Sequence, residues 1–168
     1  MIMIQNLIER IVVCIWKVLP AYVANACPLI IIRNGKGHPL DFNKKFIDNK
    51  PILGSGKTIE GFIAGIVIGG IVGVLQTPSN LIRAFTLSLG AMLGDSMGSF
   101  IKRRFNIERG KPAPLLDQVM FILVAIILSY KFEIYTLQDI IIIVAITVPL
   151  HIATNRIAYF LGIKKVPW

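Results

Sequence analysis

The sequence predicts an all-α integral membrane protein, a bundle of five transmembrane helices with two basic cytoplasmic loops. The first observation is composition: 55% of the 168 residues are hydrophobic and 16% are charged, whereas soluble domains have about 45–50% and about 25%. The second is a set of apolar segments near the length of about 20 residues that a bilayer core requires. The third is that lysines and arginines gather in alternate loops, which is typical of membrane proteins.

Composition also excludes several other classes of protein. No stretch combines low hydrophobicity with high net charge, as intrinsic disorder requires. Cys14 and Cys27 are the only cysteines, so a disulfide scaffold is excluded, and together with His38 and His151 they lack the spacing of a thiolate zinc site. The net charge of +9 comes without a nucleic-acid recognition pattern, and we therefore expect no nucleic-acid partner.

The five spans follow one another in a single domain, residues 1–168. They cover approximately residues 7–32, 58–75, 81–101, 116–130 and 139–161. Pro20 and Pro28 lie inside the first span, so whether that helix is straight or broken stays open. The segments 33–57 and 102–115 become the two long loops, and the other connections are short.

Positive charge gives the orientation of the bundle. Most of the basic residues lie in the two long loops and the C-terminal tail: Arg33, Lys36, Lys44, Lys45, Lys50, Lys57, Lys102, Arg103, Arg104, Arg109, Lys111, Lys164 and Lys165. The turns at the opposite end contribute only Lys131. Because cytoplasmic loops are rich in lysine and arginine, we expect both long loops and the C-terminus inside the cell and the N-terminus outside.

Glycines recur at every fourth residue in the second and third spans. They are Gly61, Gly65, Gly69 and Gly73 in the second span and Gly90, Gly94 and Gly98 in the third. Small residues at this spacing let two helix backbones approach closely in lipid. We therefore expect these two spans in the middle of the bundle, and we assign the glycines to packing rather than to chemistry.

Asp95 is the clearest candidate for chemistry, because an ionisable group inside a span costs about 2.5–3.5 kcal/mol on insertion scales. Helical periodicity places Asp95, Ser99 and Lys102 on one face, with Arg103 beside them. Asp117 opens the fourth span at the same membrane face. Two carboxylates among cations suit Mg²⁺ with phosphate, since this ion commonly takes one or two carboxylates, phosphate oxygens and water.

Structural alternatives exist for each of these groups. Asp95 could simply pair with a basic residue, and Asp117 could be a helix N-cap. The basic run 102–104 could be a solvated patch for anionic lipid headgroups.

The run 54–58 has glycines before a predicted helix start, where backbone N–H groups can receive an anion. Its candidate anion-binding residues are Gly54, Gly56, Lys57 and Thr58. A complete nucleotide-binding P-loop would need glycine at position 51, which is Pro51, and a preceding strand. A P-loop fold is therefore not expected, and a flexible loop capped by Thr58 is the alternative to an anion site.

A polar stripe marks the fifth span, where His151, Asn155 and Tyr159 recur at every fourth residue. Polar residues in a membrane helix usually face the bundle interior, and hydrogen bonding between helices is the simpler interpretation of this stripe. Arg156 lies near the cytoplasmic end, where it can snorkel or meet a lipid phosphate. We assign no metal to His151.

Several motifs in a fixed order resemble one known family. They are Gly37-His38-Pro39-Leu40-Asp41-Phe42, Gly54-x-Gly56-Lys57-Thr58-x-x-Gly61, Gly94-Asp95-x-x-x-Ser99-Phe100-x-Lys102-Arg103-Arg104, Gly110-x-Pro112-x-Pro114-Leu115-Leu116-Asp117-Gln118, His151-x-x-x-Asn155, and Tyr159-x-Leu161-Gly162-x-Lys164-x-x-Pro167-Trp168. The set resembles the CDP-archaeol synthases, the archaeal counterparts of the phosphatidate cytidylyltransferases, over nearly the whole chain.

The resemblance implies an activity and its partners. It implies a multi-pass enzyme of the cell membrane, with its active site at the cytoplasmic side, in archaeal phospholipid biosynthesis. The implied reaction is Mg²⁺-dependent transfer of a cytidylyl group from CTP to 2,3-bis-O-(geranylgeranyl)-sn-glycerol 1-phosphate, an isoprenoid-ether lipid. The products are CDP-unsaturated archaeol and diphosphate. Whether the chain forms a homodimer stays open.

The resemblance also implies roles for single residues. The catalytic candidates are Asp95, Asp117, Lys102 and Arg103, of which Asp95 and Asp117 would hold the metal. The nucleotide-binding candidates are Asp41, Gly54, Gly56, Lys57, Thr58 and Ser99. The candidates for the lipid phosphate are His151, Asn155 and Arg156. The sequence departs from the family pattern at Met120, where relatives often have a second acid, at Asn43, and at Ile59-Glu60.

The alternative function is a small polytopic transporter or channel with an acidic intramembrane ion path through Asp95, Ser99 and His151. Such a protein predicts an internal repeat and polar residues through the full membrane depth. The sequence shows no such repeat, and its polar residues cluster at one side.

Overall fold

The computed structural model describes residues 2–32 and 37–167, and this part of the chain folds into five helices. These are α1 (Ile2–Ile31), α2 (Ile59–Gln76), α3 (Leu81–Arg104), α4 (Leu116–Ser129) and α5 (Leu137–Phe160). The all-α class is confirmed, and each predicted span corresponds to one helix. Arg33 and Lys36 of the first loop and Trp168 of the last motif lie outside the described residues.

The five helices differ in how well they fit a bilayer. Among the described residues, α2 and α5 are long and apolar enough to cross a membrane by length and composition, and α4 is an apolar helix of shorter length. Helix α3 carries Arg83, Asp95 and a basic last turn. Five membrane spans and their orientation therefore stay a prediction.

Helix α1 is continuous through both of its prolines, so the open question of a break is settled in favour of a single helix. Pro20 has no N–H to donate to the preceding turn. The carbonyl oxygen of Trp16 instead accepts a hydrogen bond from Gln76 Nε2 at 2.9 Å. The proline thus frees an acceptor that ties α1 to the end of α2.

The glycines of α2 let α1 and α3 approach its backbone. A methyl group at Gly69 would lie 2.6 Å from the Pro20 carbonyl oxygen on α1 and 2.6 Å from Ser88 Oγ on α3. A methyl group at Gly65 would lie 2.8 Å from the carbonyl oxygen of Ala24. No side chain fits at these distances, and the interpretation of the glycines as packing residues is confirmed.

The central position predicted for the second and third spans is right for α3 and wrong for α2. Helix α3 packs against α1, α2 and α4, and α1 packs against all four other helices. Helix α2 packs on α1 and α3 through its glycine face, while its other face exposes Ile63, Val67 and Ile71. With only one face free of bulky side chains, α2 lies at the side of the bundle.

Glycines also set the register between α3 and α4. Methyl groups at Gly90 and Gly94 would lie 2.5 Å from Ala125 Cα and 2.7 Å from Phe121 Cα, and Gly98 faces the carbonyl oxygen of Leu116. This antiparallel register puts the aspartates of α3 and α4 at the same end, with Asp95 about three residues, or ~4.5 Å, deeper than Asp117. We name this the loop end; it carries residues 37–58, 105–115 and 161–167.

Buried ion pairs close the opposite end, the turn end, which carries residues 77–80 and 130–136. Arg10 pairs with Asp139 at 3.1 Å, and Arg83 Nε donates to Glu133 at 2.5 Å. Lys17 Nζ lies 3.7 Å from each of these carboxylates. Multiple pairing offsets the cost of burying these charges, so the network ties α1, α3 and α5 together.

Candidate active site

Asp95 meets the first long loop at the loop end. Lys57 Nζ donates to Asp95 Oδ2 at 2.5 Å across 38 residues of sequence. The Lys57 side chain is 25% exposed and that of Asp95 29%. Asp95 thus pairs with a basic residue, as its structural alternative requires, and the partner is a residue of the glycine run; a role in chemistry stays a prediction.

Asp117 forms a second aspartate–lysine pair beside the first. Lys102 Nζ donates to both carboxylate oxygens of Asp117 at 2.9 Å and to the carbonyl oxygen of Lys111 at 2.8 Å. The backbone N–H of Ala113 also donates to Asp117 Oδ2 at 2.9 Å. Asp117 is not the N-cap of α4, because that position is Leu115; the carboxylate instead shapes the loop that leads into the helix.

The basic run 102–104 is not a solvated patch. Lys102 is buried, and Arg103 Nε donates to the carbonyl oxygen of Leu53 at 3.2 Å. The Arg104 guanidinium lies 4.9 Å from the ring centre of Phe46 and 4.8 Å from that of Phe100, and it donates to Asp48 at 2.8 Å. The end of α3 therefore clamps the first loop.

Asp41 shapes the first loop through its backbone. Its carboxylate accepts N–H groups from Leu53 at 2.8 Å, Gly54 at 2.9 Å and Asn43 at 3.0 Å. Burial raises the pKa of Asp41, but the hydrogen bonds from these backbone N–H groups have the larger combined effect. The pKa of Asp41 therefore lies below its usual value. Asn43, with φ of 57°, adopts the left-handed conformation that glycine and asparagine tolerate.

Two arginines of the second loop region lie against the glycine run. A methyl group at Gly54, where φ is +85°, would lie 3.3 Å from Arg103 Nε, and one at Gly56 would lie 3.3 Å from Arg109 Nε. Arg109 also donates to Ser55 Oγ at 2.9 Å. The second loop region therefore contacts the glycine run of the first loop.

Thr58 and Ser99 complete this part of the site. Thr58 is the N-cap of α2 and accepts the N–H of Gly61 at 3.2 Å, so the capping alternative for Thr58 is confirmed. Ser99 is half-buried, one turn after Asp95 on α3.

The polar stripe of α5 lines a cavity of about 190 Å³ at the loop end. Its walls include Asp117, His151, Asn155 and Arg156 together with Pro167 of the tail. Asn155 is buried and His151 half-buried, as an inward-facing stripe requires. The expectation fails for Tyr159, which is 42% exposed and lies in the last turn of α5, where its ring contacts that of Phe160.

Lys164 is a member of this site that the sequence analysis assigned only to the basic tail. Its ammonium donates to Asn155 Oδ1 at 3.0 Å. The pKa of Lys164 lies below its usual value, chiefly because the side chain is buried. The charges of Lys57 and Lys102 lower this pKa further, while those of Asp117 and Asp95 partly offset the shift. Because Asn155 and Asp117 line the same cavity, the contact with Asn155 places the tail lysine on the side of the second aspartate–lysine pair. Gly162, a helix-ending glycine two residues earlier, is the signal that could have indicated it.

The donors present fit a magnesium ion. Among residues 2–32 and 37–167, no group of three or more His, Cys, Asp or Glu side chains forms a metal cluster. Mg²⁺ needs no such cage, because one or two carboxylates with substrate phosphates and water complete its octahedron. Asp95 and Asp117 supply that donor set, and Met120, whose Cβ would lie 3.7 Å from a methyl group at Gly98, adds no oxygen.

Comparisons with known proteins identify the family to which the chain is similar. A family model described as CarS-like, CDP-archaeol synthase, matches residues 5–168. The CDP-archaeol synthase of Methanocaldococcus jannaschii is 46% identical and covers 92% of this chain and 95% of its own length. The enzyme of the same name from Pyrococcus horikoshii is 42% identical and covers 91% and 94%.

A solved structure described as an intramembrane enzyme for archaeal membrane lipids biosynthesis matches with a TM-score of 0.76 and 40% identity, over 84% of this chain and 91% of that chain. The fold, the charged site and this match define a membrane enzyme of lipid synthesis. More narrowly, the chain belongs to the CDP-archaeol synthase family, which makes it a cytidylyltransferase. The resemblance drawn from the motifs is confirmed, and an enzyme is supported over a transporter or channel.

Proposed function

We propose that this enzyme transfers the cytidylyl group of CTP to 2,3-bis-O-(geranylgeranyl)-sn-glycerol 1-phosphate with the help of Mg²⁺. The observation that carries the proposal is the pair of aspartate–lysine contacts at the loop end, Lys57 with Asp95 at 2.5 Å and Lys102 with Asp117 at 2.9 Å. Carboxylates for a hard cation and ammonium groups for phosphate are thus held side by side, as a reaction between two phosphate compounds requires.

The reaction needs no covalent intermediate on the protein. An oxygen of the lipid phosphate, already anionic, attacks the α-phosphorus of CTP, and the new oxygen–phosphorus bond forms as the bond to the β-phosphate oxygen breaks. Diphosphate leaves with that electron pair. The obstacle is repulsion between two polyanions, so charge neutralisation and positioning supply most of the catalysis.

Mg²⁺ bound by Asp95 and Asp117 would supply part of that neutralisation by contacting phosphate oxygens. The chain's own cations supply the rest. Lys57 and Lys102 have flexible stems, so their ammonium groups can exchange a carboxylate oxygen for an oxygen of the triphosphate. Both carboxylates are about one-third exposed, which leaves room for this exchange.

We place the nucleotide between the glycine run and the end of α3. Gly54 and Gly56 offer a surface without side chains, and Arg103 and Arg109 lie directly against it. Asp41 and Thr58 act there by holding the loop and the start of α2 in shape. Ser99 would face the nucleotide from α3.

We place the lipid phosphate on the other side of the aspartates, in the cavity between α4 and α5. His151, Asn155 and Arg156 line it, and α5 lies at the edge of the bundle, where it packs mainly on α4 and α1. A lipid could then keep its chains in the bilayer while its phosphate enters sideways. This arrangement needs five spans in the cell membrane, with the loop end facing the cytoplasm that supplies CTP.

Replacing the central carboxylate tests this function. Purified protein with CTP, Mg²⁺ and the lipid phosphate should form CDP-lipid and diphosphate, and Asp95→Asn should lower the rate about 100-fold or more, the usual cost of losing one electrostatic group. Glu108→Gln is the matched control, since Glu108 is 75% exposed and pairs only within its own loop with Lys111. Undiminished CDP-lipid formation by Asp95→Asn would contradict the assignment.

A further inference from the structure

We propose, on the basis of the function proposed above, that Lys164 binds the phosphate group of the lipid acceptor and that the glycine turn after α5 serves to place it there. The site is the cavity between the start of α4, the end of α5 and the tail, and its ligand class is a membrane lipid with a terminal phosphate. Lys164 would be a cation of that site beside Arg156, which lines the cavity, with Asn155 as the positioning residue of Lys164.

The turn after α5 is a Schellman motif built around Gly162. The N–H of Ile163 donates to the carbonyl oxygen of Ala158 at 2.9 Å, and the N–H of Gly162 donates to that of Tyr159 at 3.0 Å. Gly162 has φ of +69°, and no atom lies within 4 Å of the methyl group that an alanine would add. Glycine is therefore needed for its backbone angle and not for space.

The consequence of the turn is that the chain doubles back and the tail lies over the last turns of α5. The N–H of Lys164 also reaches the carbonyl oxygen of Ala158, at 3.1 Å. The Lys164 side chain then donates to Asn155, nine residues earlier. Pro167, three residues further along the tail, forms part of the cavity wall, and the turn brings Lys164 against Asn155, another residue of that wall.

Asn155 fixes the position of the ammonium. Its amide contacts His151 Nδ1 at 3.1 Å on one side and accepts from Lys164 at 3.0 Å on the other. Both Asn155 and His151 line the cavity. A buried amide with a partner at each end keeps one orientation, and the lysine it holds therefore has a defined place beside the cavity.

The location of the cavity favours the lipid phosphate over the nucleotide as the ligand. Arg103 and Arg109 lie against the glycine run on the α2–α3 side of the site, whereas Lys164 lies on its α4–α5 side. The cavity wall includes apolar groups, among them Ile152 and Pro114, and one carboxylate, Asp117. A phosphate held by Lys164 would lie next to Asp117, where its oxygen must be presented for attack.

Kinetics of Lys164→Met test the proposal in the full-length protein in detergent. Losing a charge-assisted hydrogen bond should raise the KM for the lipid phosphate about 10- to 100-fold and leave the KM for CTP nearly unchanged. Lys164→Arg, which keeps the charge, should retain most of the affinity. Lys165→Met is the matched control in the same tail, because Lys165 is exposed, and it should behave like the parent protein.

A binding measurement makes the test independent of turnover. The lipid phosphate alone should raise the thermal unfolding midpoint of the parent protein, since a ligand stabilises the state that binds it. This rise should disappear in Lys164→Met, whereas the rise caused by CTP with Mg²⁺ should remain. A parent protein that shows this Lys164-dependent rise but makes no CDP-lipid would contradict the proposed function and support the binding residue.

Two variants of the turn test its role. Gly162→Ala forces a side chain into the left-handed region and should weaken lipid binding, while Gly162→Asn, whose side chain tolerates that region, should stay close to the parent protein. The Cβ that both variants add meets no atom within 4 Å, so a steric clash of the alanine cannot account for its effect. Equal effects of Lys164→Met and Lys165→Met, or a raised KM for CTP in place of the lipid, would overturn the proposal.

Discussion

Three aspartates at the loop end differ in their partners and therefore in what they can do. Asp41 is saturated by backbone N–H groups and is buried. Asp95 and Asp117 are each paired with a lysine ammonium group and stay about one-third exposed, and Asp117 also accepts the backbone N–H of Ala113. A carboxylate whose partners are all backbone N–H groups cannot release them without unfolding the loop, whereas a carboxylate with a lysine partner can exchange that lysine. Asp41 is thus a structural residue of the first loop, and the other two are available for chemistry.

The role of Asp41 predicts a pH-dependent stability of the first loop. Asp41→Asn places an NH₂ group against backbone donors, and the protection of residues 51–58 from hydrogen exchange should fall about tenfold at pH 7, since an unsatisfied buried partner costs about 1–3 kcal/mol. Because the folded pKa lies below the ordinary value of 3.8, the stabilisation is present above pH 3.8 and is lost as the pH falls through the folded pKa.

Hydrogen exchange read by mass spectrometry at pH 7 and at successively lower pH checks this prediction, with Glu108→Gln as the control. The exchange protection of residues 51–58 should differ between the parent protein and Asp41→Asn at pH 7, and the two values should converge below the folded pKa of Asp41. A difference that persisted unchanged below that pKa would show that the ionised carboxylate is not what holds the loop.

At the scale of elements, α3 carries most of the candidate site because it contacts both α4 and the first loop. Its glycine face lies on the backbone of α4, its last turn clamps the first loop through Arg104, and Asp95 lies between these contacts. The separation of Asp95 and Asp117 therefore depends on how closely α3 and α4 pack. Glycines in α3 set that distance, although they do no chemistry themselves.

Two glycines of α3 make a matched pair for testing this point. A methyl group at Gly94 would lie 2.5 Å from the carbonyl oxygen of Met120, whereas the nearest atom to a methyl group at Gly98 is 3.7 Å away. Gly94→Ala should therefore destabilise the protein by about 1–3 kcal/mol through overpacking, and Gly98→Ala by less than about 0.5 kcal/mol. Thermal unfolding in detergent measures both, and equal losses would contradict the register of α3 and α4.

The sequence was most informative where a pattern is local. Hydropathy and periodicity predicted the helices to within a few residues at most ends, and the glycine spacing predicted close packing. It did not predict that Lys57 is the partner of Asp95, that Asp41 binds loop backbone, or that Lys164 enters the site. Each of these depends on how distant loops fold against one another, and neither spacing nor hydropathy encodes such contacts.

At the scale of the whole molecule, the two ends of the bundle hold their charges differently. At the turn end the carboxylates of Asp139 and Glu133 are 9% and 18% exposed and share several cations. At the loop end those of Asp95 and Asp117 are 29% and 33% exposed, each with one lysine. Carboxylates that are buried and share several cations keep those partners and hold the helices together. The more exposed carboxylates of the loop end can release their lysines to a substrate. The asymmetry favours one functional face.

A functional loop end predicts the orientation of the chain in the cell membrane. CTP is made in the cytoplasm, so the loop end should face inward and the turn end outward. Single cysteines at Lys44 in the first loop and at Ser79 in the α2–α3 turn, both exposed positions, can report this once the buried free cysteines Cys14 and Cys27 are replaced. A membrane-impermeant thiol reagent should label the Ser79→Cys protein in intact cells and the Lys44→Cys protein only after permeabilisation. The reverse pattern would put the aspartate–lysine pairs on the outside, away from CTP, and would contradict the proposed reaction together with the orientation.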